Sequence, residues 1–475
     1  AITYAPQDGE RWFVQTFSGY PLPNPPAWVR DTVFYQIFPE RFANGDPSND
    51  GPGVAPWGAP PTATNRMGGD LAGIKARIDH LKELGVTALY LNPVFEALSN
   101  HAYDTVDYTK VDPRFGTNAE LAALVSALKS QGIRTILDGV FNHSSPEFFA
   151  FRDLREKGAA STYREWFHVL KLPIVVGEGQ QTYRTFAGVP TMPKLNQDHP
   201  AARQYFLGIA RRWIEDAGIA GWRLDVADEV SQSFWRAFRV ELKKAQPDAF
   251  MLGEVWGDAH EYLQGDQHDS VMNYRWRKAV LDLLAYKTAT IEETDRVLRR
   301  LREDYPDATL LSMVNLLGSH DTPRVRTIFG SDRARQALAH VLQFTYPGVP
   351  MIYYGDEVGL EGGRDPDCRR AMPWDRSGWD GAQFALTKSL VALRQSRSSL
   401  RRGSYRTVRA SNRDGIFAFD RRDGSQTTRV YLNLGDEPRR LAVSSGASLL
   451  LGATARVSDG MVELGPLSWG IVDLK

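Results

Sequence analysis

Asp225, Glu254 and Asp321 each stand just past an apolar, strand-like run. Asp225 closes Gly221-Trp-Arg-Leu-Asp225, Glu254 closes Phe250-Met-Leu-Gly-Glu254, and Asp321 follows Leu316-Leu-Gly-Ser-His320. Burying a charge is costly unless it is paired, so these positions serve folding badly. They serve catalysis well if the strands are parallel members of one barrel, whose active site lies at the carboxyl ends of the strands. Two carboxyls about 5–5.5 Å apart across a glycosidic bond make a retaining glycosidase. One is ionised and attacks the sugar carbon; the other protonates the leaving oxygen and then activates water. Arg223 lies two residues before Asp225, hence on the same face of a strand, and is expected to hold that carboxyl ionised, as a nucleophile requires. Glu254 has no cation beside it in sequence and has apolar neighbours, a setting that raises a carboxyl pKa and suits an acid/base.

The elements that must position these groups form a repeat of the α/β class. Residues 32–39 read as a strand, 71–84 as a helix by apolar spacing with a Gly85 stop, and 86–95 as the next strand. Helix 118–131 leads into strand 133–140, and helix 201–217 into strand 219–224. Further strands are expected at 250–255, 270–274, 310–317 and 349–354, with helices at 231–245, 277–303 and 333–345. About eight strand–helix units match a closed (β/α)8 TIM barrel. An open doubly wound sheet is the alternative, but only closure brings well-separated strand ends to one spot. Roughly sixty residues separate the third strand from its helix, too many for a plain loop.

The domains expected are thus an extended lead-in (1–27), a first barrel part (28–142), a small inserted subdomain (143–198), a second barrel part (199–400) and a C-terminal antiparallel β-sandwich (401–475). The last is signalled by short apolar runs at 416–419, 430–434, 449–451 and 470–474 between Asp-Gly turns.

Lys plus Arg and Asp plus Glu both number 57. That balance argues against a nucleic-acid partner or an anionic membrane surface and favours an uncharged ligand. The aromatic content suits sugars, whose CH faces pack on rings. Cys368 is the only cysteine, so no intrachain disulfide forms; near two arginines it reads as a bystander beside the cleft. The chain starts at Ala1, implying loss of a methionine or a leader and leaving cytoplasmic and secreted settings both open.

In Asp138-Gly-Val-Phe-Asn-His143, Gly221-Trp-Arg-Leu-Asp-Val226, Gly253-Glu-Val-Trp256 and Ser319-His-Asp321 the chain resembles the α-amylase superfamily of glycoside hydrolases, over nearly its whole length. The resemblance implies Asp225 as nucleophile, Glu254 as acid/base and Asp321 as transition-state stabiliser. Arg223 would hold the nucleophile, His143 and His320 would donate to sugar hydroxyls, Tyr103 would stack on the sugar, and Asp138 would support the site. Met192-Pro-Lys-Leu-Asn196, Tyr353-Tyr-Gly-Asp-Glu-Val358 and Phe42-Ala-Asn-Gly-Asp46 are similar to the neopullulanase, cyclomaltodextrinase and maltogenic amylase branch. In that branch Asp365 and Arg369 would hold the next sugar on the non-reducing side and Trp256 would line the leaving-group side. Asp228 stands where relatives often have Asn.

The branch usually carries an N-terminal β-domain for which this chain has no room, so a monomer, or a different dimer, with a more open site is expected. A structural Ca2+ on Asn44, Asp46, Asn49, Asp50, Gly68 and Asp70 is expected from the same branch resemblance; the loop's oxygens suit it. The substrate implied is an α-glucan: maltooligosaccharides, cyclodextrins, pullulan or starch, cut at α-1,4 and potentially α-1,6 bonds. A transglycosylase using the same intermediate, and a non-catalytic carbohydrate-binding protein, are the competing readings.

Overall fold

A computed structural model describes residues 22–177, 179 and 181–474; residues 1–21 of the expected lead-in lie outside the described residues. Eight parallel strands form the main sheet: β1 Phe34–Ile37, β2 Ala88–Leu91, β3 Arg134–Gly139, β4 Gly221–Leu224, β5 Phe250–Gly253, β6 Ser270–Val271, β7 Val314–Leu316 and β8 Val349–Tyr353. Their order runs β6-β5-β4-β3-β2-β1-β8-β7. A parallel bridge between Met272 and Val314, with Asn273 N donating to Val314 O at 2.8 Å, joins the two ends and closes the barrel.

The strands are buried on both faces, as parallel strands under a helical coat must be. One parity points inward: Phe34, Ala88, Ile136, Leu252, Leu316 and Met351 belong to one interior cluster. The other parity, including Tyr35, Leu89, Leu137 and Trp222, packs outward in the larger core that also takes up the helices. β4 and β5 approach closely, and a Cβ on Gly221 would fall 2.1 Å from Phe250 O. Only glycine fits there, at the start of the strand that carries Arg223 and Asp225.

Several element boundaries differ from the sequence reading. The helix expected over 71–84 is two, Leu71–Ala76 and Ile78–Leu84, because Arg77 leaves helical geometry (φ −107°, ψ 15°). That over 277–303 is also two, Tyr274–Leu284 and Ile291–Glu303, the second started by a capping box between Thr290 and Glu293. The strand expected at 310–317 is short, because Asp307–Leu310 is helical. After β2 the chain makes a hairpin, Phe95–Ala97 with Thr105–Val111, whose connecting loop holds His101 and Tyr103.

The segment after β3 contains the helix Phe149–Lys157 and is tied to itself by isolated bridges, among them His143 with Lys194 and Thr185 with Pro193. The C-terminal strands are β9 Ser404–Ser411, β10 Ile416–Asp423, β11 Gln426–Asn433, β12 Arg439–Ala442, β13 Ser448–Ser458 and β14 Met461–Leu474. They form one antiparallel hydrogen-bonded sheet rather than two separate ones. β14 pairs with β12 along its first half and with β11 along its second, while β13 follows it through both with a bulge at Ala453/Ala455. Ile416 and Tyr431 from one half share a buried cluster with Val462 and Leu464 from the other. The layers of a sandwich are present, but long strands run through both. No helix among the described residues is long and apolar enough to cross a membrane.

Burial also traps histidines. His268, just before β6, is 2% exposed, packs against Trp235 and Tyr262, and has no protein partner for either ring nitrogen. Burial lowers its pKa from 6.5 to about 3. A folded pKa below the unfolded one means that the unfolded chain binds the proton first, so stability is full above pH 6.5 and falls as pH drops from 6.5 towards 3. His268→Leu should therefore lose less stability than wild type between pH 6.5 and pH 5, by about 2 kcal/mol. Urea unfolding at the two pH values measures this, and identical pH dependence in both proteins would refute it.

Candidate active site

Period-two alternation places the chemistry. Asp138 pairs across to Arg223 and Arg223 to Leu252, so Asp138, Arg223, Asp225 and Glu254 share the inward parity. The ladder runs on past the strands: Asp225 N donates to Gly139 O and Glu254 N to Leu224 O, which fixes both acids at the barrel's carboxyl-terminal mouth. Val226 then turns sharply at φ +44°, a costly conformation for a β-branched residue. Its N–H donates to Glu254 Oε2 at 3.0 Å.

Arg223 is fully buried. Its Nη1 donates to both Asp138 oxygens at 2.9 and 3.0 Å and to Asp225 Oδ1 at 2.8 Å. Its Nη2 lies 2.8 Å from Glu254 Oε2, a close ion pair without hydrogen-bond alignment. This corrects the expectation that Glu254 lacks a cation: the cation comes from the neighbouring strand. Trp256 Nε1 donates to Glu254 Oε1 at 3.1 Å. The expectation that Arg223 alone holds the Asp225 carboxyl ionised is also not what the free site shows. Burial pushes Asp225 well above the ordinary carboxylate range, with Arg223 pulling against it and the charges of Glu254 and Asp138 adding to the rise. Burial likewise raises Asp138, against Arg223, and pushes Asp321 up to about 7, helped by Glu254. One guanidinium serves several carboxyls, so Asp225 and Asp138 both stay above the ordinary carboxylate range despite it.

A neutral hydrogen-bond chain supports this layer. Gln36 Nε2 donates to Asn92 Oδ1 and faces His320 Nδ1, both at 2.9 Å. That assigns the proton of His320 to Nε2, which meets Tyr103 OH at 2.6 Å and Asp321 Oδ2 at 3.2 Å. Tyr103 OH in turn donates to Asp138 Oδ2 at 2.8 Å, as does Tyr90 OH at 2.5 Å. The rings of Tyr103 and His320 stack at 5.3 Å. Burial pushes His320 well below its usual pKa and His143 down to about 3, so both are neutral. His143 Nδ1 contacts Asn142 at 3.3 Å, while its Nε2 is buried and unpartnered. Arg369 reaches Asp321 Oδ1 at 3.5 Å and Asp365 Oδ1 at 3.0 Å. Cys368 is buried, donates to His320 O, and has its thiol pushed up to about 12 by burial, which suppresses thiolate chemistry.

These groups open onto a cavity of about 500 Å³ that brings together Tyr103, His143, Asp225, Glu254, Asp321 and Arg369. Trp256, Asp365 and His320 line it too, while Asp138 and Arg223 lie beneath it. Trp256 is 48% exposed and stacks flat on Tyr274 at 3.7 Å, forming a platform beside Glu254. The sequence reading named Met192 only as the start of a branch motif and did not single out His101, nor Phe186 and Val189, which line the cavity with it. Gln36, Tyr90 and Asn92 also escaped it, although polar side chains in fully buried strand runs were a readable signal.

The loop read as a metal site does gather its residues. Asn44 Nδ2 donates to Asp50 at 2.9 Å, a Cβ on Gly68 would lie 2.1 Å from Asp50 Oδ1, and Asn44 Oδ1 and Asn49 Oδ1 are buried without partners. Asp70 is committed otherwise: it accepts from the N–H groups of Gly45, Asp46 and Gly73 and from Asn49 Nδ2. Asp46 accepts from Ser48. Among the described residues no three His, Cys, Asp or Glu side chains converge as a metal cluster, so any cation here would rest on amide and carbonyl oxygens as much as on carboxylates.

The family profile "Alpha amylase, catalytic domain" matches residues 36–401. The chain is 46% identical to a cyclomaltodextrinase from a Bacillus species over 94% of this chain and 80% of that protein. It is also 46% identical to neopullulanase 2 from Thermoactinomyces vulgaris over 86% of this chain and 70% of that one. Among solved structures, a cyclic alpha-maltosyl-(1→6)-maltose hydrolase from Arthrobacter globiformis, in complex with that sugar, has a TM-score of 0.89 at 38% identity, over 95% of this chain and 100% of that chain. A structure named cyclomaltodextrinase reaches 0.89 at 44% identity over 95% of this chain and 79% of the other. The closed parallel barrel, its mouth of acids around one arginine and these likenesses converge: the chain belongs to the α-amylase family of glycoside hydrolases.

Proposed function

We propose that this enzyme cleaves α-1,4-glucosidic bonds, and α-1,6 bonds where the substrate presents them, in maltooligosaccharides, cyclodextrins, pullulan or starch, with retention of configuration. The observation that carries the reading is that one guanidinium spans Asp225 and Glu254, which draws both carboxyls to one cation, as a retaining pair about 5 Å apart requires. Asp225 attacks C1 of the sugar while Glu254 gives its proton to the departing oxygen. The sugar is then esterified to Asp225, and the leaving chain carries the proton away. Glu254, now ionised, takes a proton from water; the hydroxide attacks C1, frees Asp225 and leaves Glu254 protonated again.

Positive charge growing on the ring favours negative charge on Asp225, beside Arg223 Nη1. Asp321 adds charge on the same side. The unpartnered His143 Nε2–H is a free donor for a sugar hydroxyl. His320 Nε2–H, which meets Tyr103 OH and Asp321 in the free site, donates to a sugar only by exchanging that partner. Both rings, being neutral, serve without repelling the sugar. Glu254→Gln should lower turnover on β-cyclodextrin by about 10²–10⁴-fold. With α-maltosyl fluoride, whose fluoride leaves without protonation, the same variant should accumulate a maltosyl ester on Asp225, found by peptide mass spectrometry. An ester on another residue, or none, would falsify the assignment.

Ca2+ at the loop of Asn44, Asp46, Asn49, Asp50, Gly68 and Asp70 is supported by the two unpartnered buried amide oxygens and the close Gly68–Asp50 approach. It would be structural, tying the loop to the helix that Asp70 caps. Chelator should lower the melting temperature by several degrees and added Ca2+ should restore it, whereas Asp50→Ala should show neither effect. Equal melting with and without chelator in wild type would rule the site out.

A monomer is likewise proposed, since the acids and the arginine that the reaction needs all come from one chain. Sedimentation velocity at micromolar protein checks it; a concentration-independent dimer would contradict it.

A further inference from the structure

Arg369 reaches the cleft from a short turn, Asp367–Arg369, that has no barrel strand of its own. What holds it is a relay from buried groups the reaction does not touch. Arg324, fully buried, follows Asp321 in the loop after β7. Its Nη1 donates to Tyr354 O at 2.6 Å and to Asp356 Oδ1 at 3.0 Å, and its guanidinium lies 4.3 and 4.7 Å from the ring centres of Tyr353 and Tyr354. Both tyrosines are fully buried at the end of β8. Their hydroxyls donate to the two carbonyls that flank Arg369: Tyr353 OH to Cys368 O at 3.2 Å, and Tyr354 OH to Arg370 O at 2.7 Å. Arg369 Nε then donates to His320 O at 2.9 Å, and its two terminal nitrogens face Asp321 and Asp365.

We infer that Tyr353 and Tyr354 are positioning residues that set the selectivity of this enzyme for substrates with a second glucose on the non-reducing side. The inference rests on the proposed role of Arg369 and Asp365 in holding that glucose. A buried hydroxyl that loses its acceptor, or a carbonyl that loses its donor, must find a new partner. Without the two O–H donors the turn at 367–370 is free to settle elsewhere, and Arg369 moves with it. The carboxyls that end β4 and β5 have their own ladder bonds and stay in place, and Asp321 keeps His320 Nε2 at 3.2 Å while losing only a long 3.5 Å contact with Arg369, so bond cleavage at the first glucose changes little.

Tyr354→Phe and Tyr353→Phe delete only the hydroxyls and keep both rings under Arg324. The readout is the ratio of kcat/KM on 4-nitrophenyl α-maltoside, cut to release maltose, to that on 4-nitrophenyl α-glucoside. Because both values come from one preparation, a partly unfolded variant does not disturb the ratio. Each variant should lower it about five- to tenfold, through KM on the maltoside, with the glucoside unchanged within twofold; the double variant should lower it further. Equal losses on both substrates would mean a purely structural role, and an unchanged ratio would mean that the hydroxyls do not set Arg369; either outcome overturns the inference. Arg369→Ala separates the two layers. If it fails to lower the ratio, the proposed role of Arg369 itself falls. If it lowers the ratio while the tyrosine variants do not, only the relay falls.

Discussion

A guanidinium sealed inside a barrel, with carboxyls on three sides, is the contact on which the rest of the site depends. Stripping an arginine of water costs several kcal/mol, and the cost is met only if its partners are close and well oriented. Arg223 meets it by bonding Asp138 on β3 and Asp225 at the end of its own strand, and by pairing with Glu254 at the end of β5. The same atoms that satisfy the cation fix the spacing of the acids. Removing Arg223 would leave three buried carboxyls with no countercharge, which is why the barrel mouth cannot be loosened at one point without changing all of it.

The charge arithmetic around Arg223 explains the rest of the lining. The acids already crowd one cation, so further charged groups near the sugar would raise the cost. The histidines that face the cavity are held neutral by burial, and their donors are oriented by amides: Gln36 for His320, Asn142 for His143. Neutral donors, acids gathered at one cation and a flat aromatic platform suit an uncharged polyhydroxylated ligand. That agrees with a chain whose acidic and basic residues balance.

Much of this was readable from the amino-acid string, for a physical reason. Parallel strands buried on both faces are apolar throughout, so an acid immediately after one stands out, and Asp225, Glu254 and Asp321 were visible on that ground. The helix stops at Gly85 and Gly218 were readable too, because each adopts a left-handed conformation. What stayed hidden depends on contacts between strands. The cation beside Glu254 is on β4, not in its own segment, so its local sequence suggested an apolar setting that the fold does not supply. β6 has two residues, too few for a period. The hairpin that presents Tyr103 begins with a three-residue strand fused in sequence to β2. Phe186, Val189 and Met192 come from an irregular segment whose order rests on isolated bridges, so no spacing rule marks them as a wall of the cleft. Gln36 and Asn92 were legible in principle as polar side chains at inward parity.

The two sides of the cleft are held in different ways, and this bears on what intercepts the glycosyl-enzyme. On the donor side Tyr103, His320, Asp321 and Arg369 are bonded to one another and to backbone carbonyls, with Tyr103 and His320 almost wholly buried. A sugar there meets a surface already organised, and little ordering remains to be done when it binds. Elsewhere in the cleft Trp256 is half-exposed, held by Tyr274 stacking and one bond to Glu254, and the apolar side chains of Phe186, Val189 and Met192 that line the same cavity offer no side-chain hydrogen bond. Such a surface accepts a sugar ring by area rather than by directed bonds, so it favours no single incoming molecule strongly. In the proposed reaction, water would reach the ester by abundance and a second sugar by stacking on Trp256. Under the proposed mechanism, the balance between hydrolysis and transfer falls to the loosely held side of the cleft, and the choice of donor sugar to the tightly held one.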